Sequence, residues 1–187
     1  VQHTMLLFFG APAGLDHSSR TITINREFFY RQRLGSDVPS RLLPKLTFRA
    51  WARAVPGHQT PFDWLSRDAD EVGKYIADPL CGWDPTVSMW RDIFELILAG
   101  ADDRNFAGMR RDLPMLLVGG ASDPATDRGK AITHLAQRMR AMGFSNLVSK
   151  VYAETRHESL NELNRNLIMS DFAVWATAAL KQRPRKP

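Results

Sequence analysis

The pattern of apolar and polar positions is most regular in the last third of the chain. Two short apolar runs, Leu113–Val118 and Leu147–Tyr152, have the length and composition of buried strands in a parallel sheet. Each is followed by a segment with apolar residues every three or four positions, Ala131–Met142 and Leu163–Leu180, which predicts a helix with one buried face. The order strand, helix, strand, helix predicts β-α-β crossovers in a parallel sheet. In the last helix the predicted buried stripe consists of Leu163, Leu167, Ile168, Phe172, Trp175 and Ala179.

The earlier part of the chain contains one strand pattern and a long region of different character. Met5–Phe9 is continuously apolar and ends at a Gly- and Pro-rich turn, which predicts another buried strand. Residues 15–112 are rich in aromatic residues, proline and arginine, and helical patterns occur at Arg26–Leu34, Asp68–Ile76 and Thr86–Gly100. A helical insertion of this length in an α/β sheet is typical of a lid. We therefore predict three parts: a core strand and turn (1–14), a helical cap or lid (15–112) and a C-terminal core (113–187).

Two details of the helical region can be predicted from spacing and capping preferences. Ser66 or Asp68 is expected to cap the helix that follows them, because both side chains can accept hydrogen bonds from free backbone N–H groups. In the helix at Thr86–Gly100, the three- and four-residue spacing predicts one buried face formed by Trp90, Phe94, Ile97 and Leu98.

Composition and charge narrow the possible functions. The chain has 187 residues, 44% of them apolar and 24% charged, and it contains no apolar run long enough for a transmembrane segment. The net charge is +5, but basic and acidic residues alternate along the chain, so we expect no nucleic-acid partner. Cys81 is the single cysteine, which excludes an internal disulfide and suits a cytoplasmic location. The five histidines lack metal-ligand spacing, and we expect neither a metal nor an organic cofactor.

Two titratable residues follow the two predicted C-terminal strands. Asp123 lies in the turn after the first of these strands, and His157 lies in the loop after the second. Functional side chains of parallel α/β sheets gather in such loops, and neighbouring strands would bring the two loops together. A carboxylate beside an imidazole fixes one tautomer and stabilises the protonated ring, as acyl transfer requires. Taken singly, such an aspartate often only caps the next helix, and such a histidine is often structural.

Other candidate nucleophiles are less persuasive. Ser122 precedes Asp123 in the Gly120–Pro124 turn, which lacks the second glycine of a nucleophile elbow, so we interpret it as a turn residue. Cys81 is interpreted as a small packed thiol of the lid.

Several separated motifs resemble those of one enzyme family, in the same order and at similar spacing. They are Asp63–Asp68, Tyr75 and Asp78–Gly82, then Leu113-Pro114 and Gly119–Pro124, then Arg156–Glu158, Leu160–Glu162 and Asn164-Arg165. Together they resemble bacterial α/β-hydrolases of the monoacylglycerol-lipase-like and lysophospholipase-like type (serine aminopeptidase S33 type). The resemblance extends over nearly the whole chain, from Met5 to Trp175. It implies an α/β-hydrolase fold, a parallel sheet that is partial here, with a helical lid.

The resemblance also implies roles for individual residues. Asp123 would be the catalytic acid and His157 the general base of a Ser-Asp-His triad. Three residues would order the histidine loop as supports: Glu158, Asn161 and Glu162. The lid tryptophans Trp51, Trp64, Trp83 and Trp90 would either line an acyl tunnel or pack the lid. The implied substrate is a small lipid ester such as a monoacylglycerol or a lysophospholipid.

The chain departs from the family pattern at the nucleophile. No Gly-x-Ser-x-Gly motif occurs in residues 1–187, and the His-Gly loop of the family's oxyanion hole is also missing. We therefore expect a C-terminal portion of a longer hydrolase whose serine lies upstream, inactive or nearly so in isolation. Its sheet edge would be covered by the missing N-terminal half or by a second copy. Alternatives are a non-catalytic binding or interaction module, or a peptidase or epoxide hydrolase on the same scaffold.

Overall fold

The computed structural model describes residues 37–182. The predicted strand at Met5–Phe9 and the predicted helix at Arg26–Leu34 lie outside these residues. Six α-helices and two strands occur in the described range: α1 (Leu43–Leu46), α2 (Phe48–Arg53), α3 (Ala69–Ala77), α4 (Val87–Ala101), β1 (Met115–Gly120), α5 (Lys130–Ala141), β2 (Leu147–Tyr152) and α6 (Arg165–Lys181). Short 3-10 helices lie at Asp103–Phe106, Pro124–Thr126 and Ser159–Asn161.

The two strands form a parallel pair, as the strand-helix-strand pattern predicts. Met115 pairs with Leu147 at one end, and Gly120 pairs with Tyr152 at the other. β1 begins two residues later than predicted, because Pro114 has no N–H to donate, and the first ladder bond runs from Met115 N to Asn146 O at 3.0 Å. The loops that follow the two strands therefore leave the sheet side by side.

Helices α3 and α4 begin at capping residues, whereas α1 and α2 have no side-chain cap and were not predicted. Asp68 caps α3 by accepting hydrogen bonds from Asp70 N and Glu71 N, which confirms one of the two predicted capping residues. Thr86 caps α4 in the same manner. On α4, Trp90 and Phe94 are buried, but Leu98 is exposed, so that part of the predicted face is wrong. Leu98 lies eight positions after Trp90, about 80° around the helix from it.

The helical segment packs directly against the end of the sheet. One buried cluster joins α1 to α4 through Leu43, Val87, Trp90 and Phe94. A second consists of Ala52, Val55, Trp64, Leu65 and Ala125. Ala125 belongs to the loop after β1, so this cluster fixes that loop against the helices.

The final helix corrects a further expectation. Of its predicted stripe only Ile168 is fully buried, whereas Leu167 and Phe172 are more than half exposed. Leu163 is exposed as well, and it precedes α6 rather than belonging to it. Within residues 37–182 the sheet has two strands, which is too narrow to cover the whole apolar side of α6. None of the described helices has the length and apolar character needed to span a bilayer.

Candidate active site

The Asp123 side chain is buried in the turn after β1. Its Oδ1 accepts a hydrogen bond from Ala125 N at 2.9 Å and caps the short 3-10 helix that begins at Pro124. Its Oδ2 accepts a hydrogen bond from Thr126 Oγ1 at 2.8 Å. Asp123 therefore does cap the next helix, as such an aspartate often does, and it uses only Oδ1 for this cap.

The second oxygen of Asp123 also binds His157. His157 Nδ1 lies 3.1 Å from Asp123 Oδ2, with the aspartate side chain 3% exposed and the histidine side chain 41% exposed. A carboxylate can only accept at this contact, so it selects the tautomer with the proton on Nδ1. Among residues 37–182 no group hydrogen-bonds His157 Nε2, which leaves that nitrogen able to take and return a proton.

Close backbone contact brings the two loops together. Ala121 N donates to Tyr152 O at 2.8 Å, and Ser122 N donates to Thr155 O at 2.9 Å. A Cβ at Gly120 would collide with the backbone carbonyl oxygens of Thr155 and of Arg156. Glycine is needed at position 120 because the loop carrying His157 lies directly against it.

Glu162 is the centre of a hydrogen-bond network beneath the histidine loop. Its side chain is fully buried, and Oε1 accepts from Arg156 N at 2.8 Å and from Arg67 N at 3.1 Å. Oε2 accepts from Arg67 Nε at 2.9 Å and from Leu163 N at 3.0 Å. Because four donors satisfy one buried carboxylate, the network joins the histidine loop rigidly to the segment around Arg67.

Glu158 and Asn161 lie in the same loop. Asn161 Nδ2 donates to Glu158 Oε2 at 2.8 Å, and Asn161 N donates to Glu158 O at 2.9 Å. Glu158 N in turn donates to Leu65 O at 2.8 Å. The three residues named as supports thus all lie in the hydrogen-bonded loop that carries His157, and their functional role stays a prediction.

The segment Asp63–Asp68 forms the other side of this loop. Arg156 Nη1 donates to Asp63 O at 2.6 Å and to Ser66 O at 3.0 Å. Ser66 Oγ donates to Asn161 O at 2.8 Å. Sequence reasoning identified this segment as a family motif and a helix cap, and it missed these contacts with a loop about 90 residues away. The only sign of these contacts in the sequence is that Asp63–Asp68 and the histidine loop both belong to the set of motifs that resemble the family.

The four tryptophans that were predicted to belong to a lid separate into two groups. Trp64 and Trp83 line a cavity of about 550 Å³ whose other walls include Phe62, Leu80 and Met89. Trp90 is instead buried in the helical core, and Trp51 packs on Trp64 with ring centroids 5.0 Å apart. The Trp64 ring also lies 4.9 Å from the His157 ring, so one indole separates the cavity from the imidazole.

The remaining candidate groups have ordinary environments. Cys81 lines the same cavity, and burial, followed by the nearby Asp78, raises the pKa of its thiol, which favours the unreactive protonated form. Ser122 lies in the turn before Asp123 and binds Thr155 O through its backbone. Residues 37–182 contain no group of three or more side chains suited to hold a metal ion.

A buried carboxylate paired with an exposed imidazole at adjacent ends of parallel strands is characteristic of an α/β-hydrolase. Residues 18–164 match the family model described as "Serine aminopeptidase, S33". This match extends over most of the chain, and the chain belongs to that family.

Solved structures show the same fold. A thermostable carboxyl esterase from Bacillus coagulans, in complex with glycerol, superposes with a TM-score of 0.72 at 15% identity over 88% of this chain. A lipase in its open form superposes with a TM-score of 0.68 at 23% identity over 91% of this chain. The chain spans about half of each structure, 53% in both cases. A search of curated proteins finds no match.

Proposed function

We propose that this chain supplies the acid and the base of a serine hydrolase that cleaves carboxylic esters, with the nucleophilic serine contributed from outside residues 1–187. The supporting observation is the contact between buried Asp123 and His157 at 3.1 Å, with His157 Nε2 unoccupied by any described residue. The fold shared with an esterase and a lipase agrees with this chemistry.

The proposed mechanism has two steps. In the first, His157 Nε2 takes the proton of the serine hydroxyl as the oxygen attacks the ester carbonyl carbon, and it then protonates the departing alcohol. In the second, His157 takes a proton from water as the water oxygen attacks the acyl-serine carbonyl carbon. It then returns that proton to the serine oxygen as the carboxylic acid leaves, which restores the serine and the neutral imidazole. In both steps the ionised carboxylate of Asp123 holds the imidazole in one tautomer and stabilises its positive charge.

The proposed substrate is an ester with a long acyl chain, of the monoacylglycerol or lysophospholipid type. The support is the aromatic cavity that contains Phe62, Trp64 and Trp83, of a size suited to an apolar chain. Its wall at Trp64 packs against His157, so an acyl chain in the cavity would lie near the base.

The decisive experiment is Asp123→Asn in the full-length natural protein. Turnover of a monoacylglycerol should fall by about 10⁴-fold, because the amide no longer favours the required tautomer, while circular dichroism stays unchanged. The matched control is Asp127→Asn, an aspartate of the same turn that pairs on the surface with Lys130 at 3.1 Å. Equal turnover in the Asp123→Asn and Asp127→Asn variants would show that Asp123 is not the catalytic acid.

The family description also favours a second activity, the hydrolysis of amino-terminal peptide bonds. The same acid and base would serve it, so the two activities are distinguished by substrate. Amino-acid arylamides and monoacylglycerols should be assayed side by side with the full-length protein. Faster turnover of the arylamide would identify a peptidase, and no turnover of either would favour a binding module.

A further inference from the structure

A second cavity, of about 500 Å³, lies beside the two loops that carry Asp123 and His157. Its lining includes Ser122 and Arg156, which immediately precede those two residues in sequence. Arg67, Arg128 and Glu154 also line it. Three arginines therefore line one cavity together with Glu154, and the carboxylate of buried Glu162 contacts Arg67 as well.

Two of these guanidinium groups are held in place by the fold. Arg67 is bonded through Nε to buried Glu162, which fixes the orientation of its planar head. Arg156 donates through Nη1 to two backbone carbonyl oxygens, which orient the group without neutralising its charge. Guanidinium groups fixed in this manner lose little further freedom when they bind an anion.

The third guanidinium belongs to Arg128. Its backbone has a φ of 56°, and its N–H donates to Asp123 O at 2.8 Å, so the acid turn itself presents the side chain. No carboxylate between residues 37 and 182 forms an ion pair with Arg128, and the residue is exposed at the cavity.

Glu154 occupies the place that an anionic ligand would take. Its Oε2 accepts from Arg67 Nη1 at 3.1 Å, while its side chain is 82% exposed. An ion pair this exposed is weak, so a stronger anion can displace the carboxylate at little cost. The pair places Arg67 Nη1 where an anion that displaces Glu154 would accept the same hydrogen bond, while Nε and Nη2 stay bonded to Glu162 and Asn164.

We infer that this cavity is a binding site for a phosphate-type oxyanion, held by Arg67, Arg128 and Arg156. Planar guanidinium groups match tetrahedral oxyanions by paired N–H bonds. The anion could be a free phosphate or the phosphate of a lipid headgroup, since both present the same oxygens. Binding at this site does not depend on the ester hydrolysis proposed above.

The test is calorimetric titration of the full-length protein with inorganic phosphate. We expect binding at millimolar concentrations or below, weakened about tenfold by Arg128→Gln through the loss of one charge-assisted contact. Glu154→Gln should tighten binding, because it removes the competing charge. The control is Arg104→Gln, which removes an equal charge at a position 89% exposed and outside this cavity.

Two results would overturn the inference: no phosphate binding, or equal affinity in the Arg128 and Arg104 variants. A kinetic comparison then identifies the source of the anion. If the headgroup of a lysophospholipid occupies the site, Arg128→Gln lowers kcat/KM for that lipid relative to a monoacylglycerol of the same chain. An unchanged ratio, with phosphate binding weakened, identifies a site for free phosphate. Because the titration needs no turnover, an inactive hydrolase would leave this result intact.

Discussion

The indole of Trp64 packs against the imidazole of His157, with ring centroids 4.9 Å apart and planes tilted by 52°. The same two residues also meet through the backbone, where His157 N donates to Trp64 O at 3.4 Å. Trp64 therefore restrains both the main chain and the ring of His157. This restraint comes from the helical region, 93 positions earlier in the chain.

Replacing Trp64 should test this restraint. Trp64→Ala should lower the free energy of unfolding by about 3–5 kcal/mol, because it empties a buried site beside the imidazole. Trp64→Phe should cost less, since the buried Nε1 of Trp64 has no hydrogen-bond partner among the described residues. Urea denaturation would measure both, with Trp83→Ala as an exposed control. Equal losses at positions 64 and 83 would contradict the packing role.

Arg67 binds one buried and one exposed carboxylate, which allows a matched pair of substitutions. Glu162→Gln should lower the free energy of unfolding by about 2 kcal/mol or more, because a fully buried acceptor of four hydrogen bonds loses its charge. Glu154→Gln on the exposed side of Arg67 should leave stability nearly unchanged. Chemical denaturation of the two variants gives the comparison, and similar losses would show that burial is irrelevant here.

Gly120 should be intolerant of any side chain. Gly120→Ala forces its Cβ against the carbonyl oxygens of the histidine loop, and we expect a loss of about 1–3 kcal/mol together with reduced turnover. The control is Gly73→Ala within α3, where no other part of the protein outside the local helix backbone lies within 4 Å of the added Cβ, and which should stabilise by up to about 1 kcal/mol. Thermal unfolding and an ester assay measure both effects. Wild-type turnover in Gly120→Ala would show that the loops need not lie so close.

Tyr152 should make stability sensitive to alkaline pH. Burial, followed by its hydrogen bond to Asp171, raises the pKa of Tyr152 to about 12 from a usual 10.0. The folded state then keeps a proton that the unfolded chain loses, so this contribution is complete below pH 10 and disappears as pH rises towards 12. Urea denaturation at several pH values should show a steeper decline for the wild type than for Tyr152→Phe. Parallel declines would exclude this linkage.

The sequence predicted the C-terminal half of the fold well and the helical part less completely. β2 and the cap at Asp68 agree with the expectations, and β1 and α5 differ from them by one or two residues at each end. The burial of α6 was overestimated because an apolar stripe shows what a helix can bury and not which neighbour covers it. The two candidate catalytic residues were found since strand ends can be read from the sequence, and their roles stay predictions.

The sequence by itself determined the order of the strands and helices, the acid and histidine loops, and the family. These features depend on local preferences and on motifs that remain readable along the chain. Only the tertiary structure decided that Asp123 and His157 meet at 3.1 Å, that Glu162 joins Arg67 to the histidine loop, and that three arginines surround one cavity. Such contacts join residues that are tens of positions apart, and they form only when the packed core brings their elements together.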